Sequence, residues 1–357
     1  MKILVLPGDG IGPEITAATL KAVDAIVGKY KLELDVQEAD CGLASLKRYG
    51  TTLRGEDLER AKTVDGVILG PMSIQDYPSP AEGGVHVTAA LRSALELYAN
   101  IRPSYLRPGI PAKVSQMDLV IVRENLEDFY VDRNMHLGIG EFMPTPDVVL
   151  AVGKITRQGS QRVARAACEI ASRRPRKKLT IVHKSPVLKL YNGMFVEEAR
   201  RAARAFPEIE VEDLLVDAMA ALLIRTPERF DVVLMPNVFG DILSDEASEL
   251  SGSLGLAASL NRGDRAVVAN AGHGSAPDIA GKNVANPTSL MLSAAMLFEH
   301  LGVTHALPRW CQAANAFRKA VDMNLEKSAT RTRDLGGSVS TSAFADAVVK
   351  AIHTLED

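Results

Sequence analysis

Residues 231–249, DVVLMPNVFGDILSDEASE, change character halfway along. Val232 to Met235 form an unbroken apolar run with the β-branched content of a buried strand, whereas Ile242 and Leu243 start a helical pattern. Pro236, Asn237 and Gly240 separate the two. The stretch predicts a strand, a sharp turn at Gly240 and a helix capped by Asp241, since an aspartate just before an apolar-periodic segment is a helix-start signal. Four other runs end in the same way: KILVLPGDG (2–10), DGVILGPMS (65–73), DLVIVREN (118–125) and LTIVHKSP (179–186). Amphipathic stripes lie between them, such as Val87, Leu91, Ala94, Leu95 and Tyr98, which share one helix face. Strands alternating with helices predict an α/β fold around a largely parallel sheet. Ligands of such sheets gather beyond the carboxyl ends of the strands, so Arg123, Lys184 and Asp241 are candidates for a common cleft.

The chain has 357 residues, 46% of them hydrophobic, enough for one large domain or two of ordinary size. A formal net charge of −3 provides no positive field for a phosphate backbone, so nucleic acid is not an expected partner. The one dense basic run, RRPRKK (173–178), reads as a solvated loop between a helix and a strand. Three cysteines in no metal-ligand spacing point to reduced thiols and a cytoplasmic protein. The opening MKILVLPGDGIGPEI reads as strand and turn rather than a signal peptide. No apolar stretch approaches the roughly 20 residues of a membrane helix, so no membrane association is expected. RPSYLRPGIPAK (102–113) is the most proline-rich region and marks a crossing between domains.

Three groups of residues carry chemistry. Asp241 and Asp245, at i and i+4, share a helix face. Like charges that close repel unless something positive lies between them. They are either a cap plus a surface charge or half of a site for a hard divalent cation such as Mg²⁺. Arg92, on the polar side of its helix, Arg102, just past the helix end, and Arg123, at a strand end, are separate surface charges or a joint clamp for carboxylates. As a clamp they imply a polycarboxylate substrate. In GHGSAPDIAGKNVANP (272–287) small residues let a backbone approach a ligand, and Asp278 could accept from ribose hydroxyls. The alternative is an ordinary surface loop. GDGIGPE (8–14) is G-x-G-x-G followed by proline, a weak dinucleotide signal.

From LPGDGIGPEI (6–15) to DLGGSVSTSAFADAV (334–348), the chain resembles the isocitrate/isopropylmalate dehydrogenase family of metal-dependent β-decarboxylating dehydrogenases. NVFGDILSDEASELSGSLG is similar to its metal-binding signature, HGSAPDIAGKNVANPT to its adenosine-binding loop, RENLEDFY to its tyrosine segment and VHKSP to its lysine segment. The resemblance implies a two-lobe fold, largely parallel and not a standard Rossmann fold. Residues 1–99 plus 252–357 would form a cofactor lobe, and 100–251 a central lobe with the dimer interface. It further implies Mg²⁺ or Mn²⁺ on Asp217, Asp241 and Asp245, Lys184 as general base and Tyr130 as proton donor. NAD would be held by Ile11, His273, Gly274, Ser275, Ala276, Pro277, Asp278, Ile279 and Asn286, and substrate by Arg92, Arg102 and Arg123 with Thr88 and His86 bordering its C3 group. Lys184 and Asp217 would serve the partner subunit of a homodimer. The polar pair Thr88 and His86 favours an isocitrate- or homoisocitrate-like substrate. Isopropylmalate, and tartrate or D-malate, are the alternatives, and a non-catalytic regulatory subunit is the alternative of another class. Pro186 and Asn270 depart from the family pattern.

Overall fold

The computed structural model describes residues 1–130, 135 and 138–356. Twelve strands are described, β1 (Lys2–Leu6), β2 (Asp35–Glu38), β3 (Gly66–Leu69), β4 (Ala99–Tyr105), β5 (Asp118–Glu124), β6 (Glu141–Thr145), β7 (Val148–Ala151), β8 (Lys178–His183), β9 (Glu210–Leu215), β10 (Val232–Met235), β11 (Ala258–Arg262) and β12 (Val267–Ala271). The helices are α1 (Gly12–Tyr30), α2 (Gly42–Tyr49), α3 (Gly55–Ala61), α4 (Val87–Ala94), α5 (Arg157–Arg173), α6 (Tyr191–Ala203), α7 (Val216–Arg225), α8 (Asn237–Ser251), α9 (Thr288–Thr304), α10 (Pro308–Glu326) and α11 (Thr341–Thr354). Ten strands form one sheet in the order β2-β1-β3-β12-β11-β4-β5-β10-β8-β9. All five apolar runs are strands of it, and the mixed α/β class with a largely parallel sheet is as expected. Its centre is antiparallel, because β4 runs against both β5 and β11, and β11 against β12.

That centre was hidden by β4. Arg102, expected just past a helix end, lies within this strand, and α4 stops at Ala94. RPSY is the end of this strand rather than a loop. Pro103 is tolerated because the pairing of β4 with β11 covers only Ala99 to Ile101, so β4 is an edge beyond that point. The apolar core follows the sheet. One cluster packs Ile3, Ile15, Leu260, Leu297, Phe298 and Phe317 together, and another packs Val122, Val163, Ile181, Phe195 and Leu234.

The helix after β10 starts earlier than expected. α8 begins at Asn237 with Pro236 as its N-cap, so Asp241 stands one turn inside rather than at the cap. Gly240 makes no turn; its missing side chain admits Arg123, whose Cγ would lie 2.5 Å from a Cβ there. We expect Gly240→Ala to cost about 1–3 kcal/mol by overpacking, read by denaturant unfolding. An unchanged midpoint would mean that Arg123 swings aside freely.

Two further features differ from expectation. The basic run is not simply solvated: Arg174 pairs with the buried Asp231, and Arg176 lies 3.5 Å from the same carboxylate. β6 and β7 form a separate two-stranded ribbon, too short to read from periodicity, with Phe142, Met143, Val149 and Leu150 exposed. No described helix is long and apolar enough to cross a membrane, and Cys41, Cys168 and Cys311 are free thiols.

Candidate active site

Strand alternation assembles the site. On β4, Asn100, Arg102 and Ser104 point to one face of the sheet. Asn100 is paired with Arg123 of β5, which places both guanidiniums against the first turns of α8. Arg102 and Arg123 are buried, and each meets an aspartate. Arg123 Nη1 donates to Asp241. The Arg102 fork lies between the two carboxylates, with Nη1 2.9 Å from Asp245 and Nη2 3.6 Å from Asp241. A guanidinium is therefore the positive group that holds Asp241 and Asp245 together in this structure. Tyr130 completes the cluster. Its hydroxyl donates to Asp241 Oδ2 at 2.9 Å, and Arg123 lies 5.5 Å from the centre of its ring.

These surroundings make the two carboxyls unequal. Burial works to raise both pKa values. At Asp241 the charges of Arg123 and Arg102 outweigh it, and the carboxyl is held below its ordinary range. At Asp245 burial wins over Arg102, and the repulsion of Asp241 adds to it, so the group is raised. Arg92 also lowers Asp241. Expected on a polar helix face, it is instead buried, because α4 turns that face inward. Thr88, one turn earlier, is half-buried. His86 is the N-cap of α4, its Nδ1 accepting from Ala89 N at 3.2 Å.

Lys184 and Asp217 are not brought to this cluster. They follow β8 and β9 and bond each other, Nζ to Oδ1 at 2.6 Å. Among the described residues no three His, Cys, Asp or Glu side chains converge as a metal set. Asp241 and Asp245 offer two hard oxygen donors, 37% and 52% exposed. That fits Mg²⁺ or Mn²⁺, which need only one or two carboxylates, and it leaves room for a third ligand from outside the chain.

The glycine-rich loop adopts a built conformation. Ala276 is left-handed, with φ +38°, and Pro277 to Ile279 form a 3₁₀ turn that exposes Asp278. The GDGIG loop supports it: Ile11 N donates to Ser275 O at 2.8 Å, and any side chain on Gly10 would strike that carbonyl. Gly274 is exposed, and the His273 ring nitrogen Nε2 is buried without a protein partner. Burial first lowers the pKa of that imidazole, so the neutral ring offers one unfilled hydrogen-bonding position. A buried polar atom in that state fits a ligand such as an adenosine. Asn286 is largely committed, donating to Asp334 at 2.9 Å and accepting from Thr288 N at 3.0 Å. Lys282 donates to the Asp278 carbonyl at 2.7 Å.

Several positioning residues escaped the sequence reading. Asn237 accepts from Arg123 Nε and Nη2 at 2.9 and 2.7 Å, fixing that guanidinium. Glu124 lies behind it, 3.4 Å from Asn237 Nδ2, its pKa pushed up to about 7 by burial and then by Glu127. Asn100 accepts from Arg102 Nε at 2.6 Å and donates to Ser259 and Asn261; Asn261 in turn donates to Asn270 at 2.7 Å. Asp128 accepts from Val238 N and the Tyr191 hydroxyl, both at 2.8 Å, tying the tyrosine segment to the start of α8. Asp9 accepts from Leu43 N, Ser73 N and the Tyr77 hydroxyl, which makes GDGIG a structural hub. The one available signal was the alternation of Asn100, Arg102 and Ser104 with Ile101 and Pro103.

A largely parallel α/β sheet, with paired carboxylates, buried arginines and a phenol beyond its strand ends, defines a protein built to bind a carboxylate-bearing small molecule. A profile of the isocitrate/isopropylmalate dehydrogenase family matches residues 2–348. The isocitrate/homoisocitrate dehydrogenase of Thermus thermophilus is 41% identical over 354 residues, covering 99% of each chain. The 3-isopropylmalate dehydrogenase of Saccharolobus solfataricus is 36% identical over 349 residues, covering 98% of each. The crystal structure of the isocitrate dehydrogenase from Methylococcus capsulatus superposes with a TM-score of 0.87 at 37% identity, covering 99% of both chains. The chain belongs to the isocitrate/isopropylmalate dehydrogenase family.

Proposed function

We propose that the protein is an NAD-dependent, Mg²⁺- or Mn²⁺-dependent dehydrogenase that oxidatively decarboxylates a 3-substituted D-malate carrying a polar C3 group, of the isocitrate or homoisocitrate kind. The observation that carries this reading is the convergence of Arg102, Arg123 and Tyr130 on Asp241 and Asp245. Arg102 and Arg123 are buried beside the two acids, with Arg92 close enough to lower Asp241, and guanidiniums grouped in this way suit a substrate with several carboxylates. Asp241 and Asp245 would hold the cation with Asp217 of a second copy. Once bound, that ion supplies a Lewis acid for the C2 hydroxyl and for charge developing at C2 oxygen. NAD supplies the hydride acceptor. The chain's residues do the rest. Arg92, Arg102 and Arg123 orient the substrate carboxylates, Lys184 takes the hydroxyl proton, and Tyr130 delivers a proton to C3 after carbon dioxide departs.

The homodimer belongs to this reading. Lys184 and Asp217 stand apart from the arginine cluster, and exposed apolar side chains lie nearby in sequence: Val187, Leu190, Ile224 and Ile242, with the ribbon residues Val149 and Phe142. If they gather into one patch, such apolar exposure suits an interface with a second copy. The lobes would be residues 1–99 plus 252–357 and residues 100–251, and free thiols suit the cytoplasm. Purified protein with Mn²⁺ and NAD should yield NADH absorbance with isocitrate or homoisocitrate in preference to isopropylmalate, tartrate or D-malate. A clear win for isopropylmalate sinks the polar-pocket reading, and no turnover on any of them favours the regulatory subunit.

Two finer expectations follow. Asp278 accepts from a ribose and repels a 2′-phosphate, so kcat/KM should be far higher with NAD than with NADP; the reverse order would make Lys282 the deciding group. His86 gives Nδ1 to the helix cap, so of the two polar residues Thr88 is the more direct test of the contact with the C3 group. Thr88→Leu should shift the kcat/KM ratio toward alkyl malates by roughly 10-fold, the scale of one or two pocket contacts. An unchanged ratio would place Thr88 away from that group.

A further inference from the structure

The strands that carry Arg102 and Arg123 also build a second concavity on their other face. On β4, Ile101, Pro103 and Tyr105 point away from the carboxylate–arginine cluster. Their cross-strand neighbours Leu260 and Val120 extend the same apolar floor. α5 packs on β5 and β10, and α9 on β11 and β12, so a strip of β4 between them stays uncovered. The result is a cavity of about 780 Å³ walled by Ile170 on one side and by Leu292 and Met296 on the other. Its rim is basic, with Arg107, Arg173, Arg174, Arg262 and Arg318 against the carboxylates of Asp118 and Glu299.

Four of those arginines are already engaged. Arg107 pairs with Asp322, Arg174 with Asp118 and Asp231, Arg262 with Glu169 at 2.7 Å, and Arg318 with Glu299 at 2.8 Å. Arg173, exposed in the last turn of α5, has no ion pair among the described residues. Beside it His300 is pushed down to about 4, by burial first and then by Arg262, His305 and Arg173. It is a neutral hydrogen-bonding group in a positive pocket. A ligand here would cover apolar strand surface and meet one uncommitted guanidinium.

We propose that this reverse pocket binds a small amphiphilic anion, an apolar ring or short chain bearing one carboxylate, sulfonate or phosphate. The volume suits such a ligand, which pockets of this size normally bury. The apolar floor supplies affinity, and Arg173, with its fork free, supplies the anchor. The site lies back to back with the carboxylate–arginine cluster and shares none of its residues. The inference therefore holds whether or not the chain oxidises a malate.

The test uses 8-anilinonaphthalene-1-sulfonate and its uncharged parent, N-phenyl-1-naphthylamine, titrated into the intact protein in the presence of saturating NAD. One saturable site per chain is expected for the sulfonate, with the neutral parent at least about tenfold weaker, the scale of one charge-assisted contact. Arg173→Glu and Val303→Trp, both at exposed positions on the pocket wall, should each weaken the sulfonate by about tenfold or more, while Arg173→Lys retains most of the binding. Circular dichroism checks that the variants fold. Fluorescence abolished by NAD, equal binding of the neutral parent, or indifference to both Arg173→Glu and Val303→Trp would each overturn the proposal.

Discussion

Asp241→Asn should fold, bind Mn²⁺ at least about a hundredfold more weakly than the parent, and lose turnover by a similar or larger factor, because a neutral amide replaces a charged oxygen ligand of a hard cation. The structure adds a second effect. Asp241 neutralises Arg123 and Arg102, both buried, and accepts from Tyr130. Its loss leaves two guanidiniums with only Asp245, which should cost stability on the order of 1–3 kcal/mol. Asp245→Asn should weaken Mn²⁺ comparably but cost less stability, since its carboxyl is raised by burial and half exposed. The two effects separate in experiment: calorimetric titration with Mn²⁺ reads the metal, and denaturant unfolding in chelator reads the arginines. Normal turnover of either variant at limiting Mn²⁺ would remove these residues from the metal site.

That second effect could not be anticipated from DVVLMPNVFGDILSDEASE alone. Periodicity placed Asp241 and Asp245 on one face, and repulsion demanded a positive partner, but the identity of that partner was a tertiary fact. Arg102 reaches them only because β4 is a strand, and that strand was masked by Pro103 and by the polar alternation of Asn100, Arg102 and Ser104. Buried parallel strands announce themselves as continuous apolar runs, so β1, β3, β5, β8 and β10 were legible; an antiparallel strand with one polar face was not. Gly240 illustrates a different limit. A glycine ahead of an aspartate and a helical pattern reads as a turn, whereas here it is a helical residue that makes room for a side chain 117 positions away, as the positions 123 and 240 show. Family resemblance pointed to candidate reacting groups but not to Asn237, Asn100 and Glu124, which surround the arginines.

The second large effect concerns Lys184. Lys184→Met should reduce hydride transfer by about 10²–10⁴-fold, the usual worth of a positioned general base, while substrate and NAD bind within a few-fold of normal. Met keeps the stem of the side chain and removes only the proton acceptor and its bond to Asp217. Turnover within tenfold of the parent would exclude Lys184 as the base. A mixing experiment then asks where Lys184 works. If it serves the site of a second copy, a heterodimer of Lys184→Met and Asp241→Asn chains holds one site with both defects and one with neither. After unfolding and joint refolding in equal amounts, half of the dimers are heterodimers and half of their sites are intact. Activity should therefore return to about a quarter of the parent's from two nearly inactive preparations, by the symmetry of a closed dimer. If each chain instead completes its own site, every site in the mixture carries a defect and no activity returns. The separation of the Lys184–Asp217 pair from the Asp241 cluster within one chain favours the first outcome, because the resemblance assigns Lys184, Asp217, Asp241 and Asp245 to one reaction and a single copy does not bring them together.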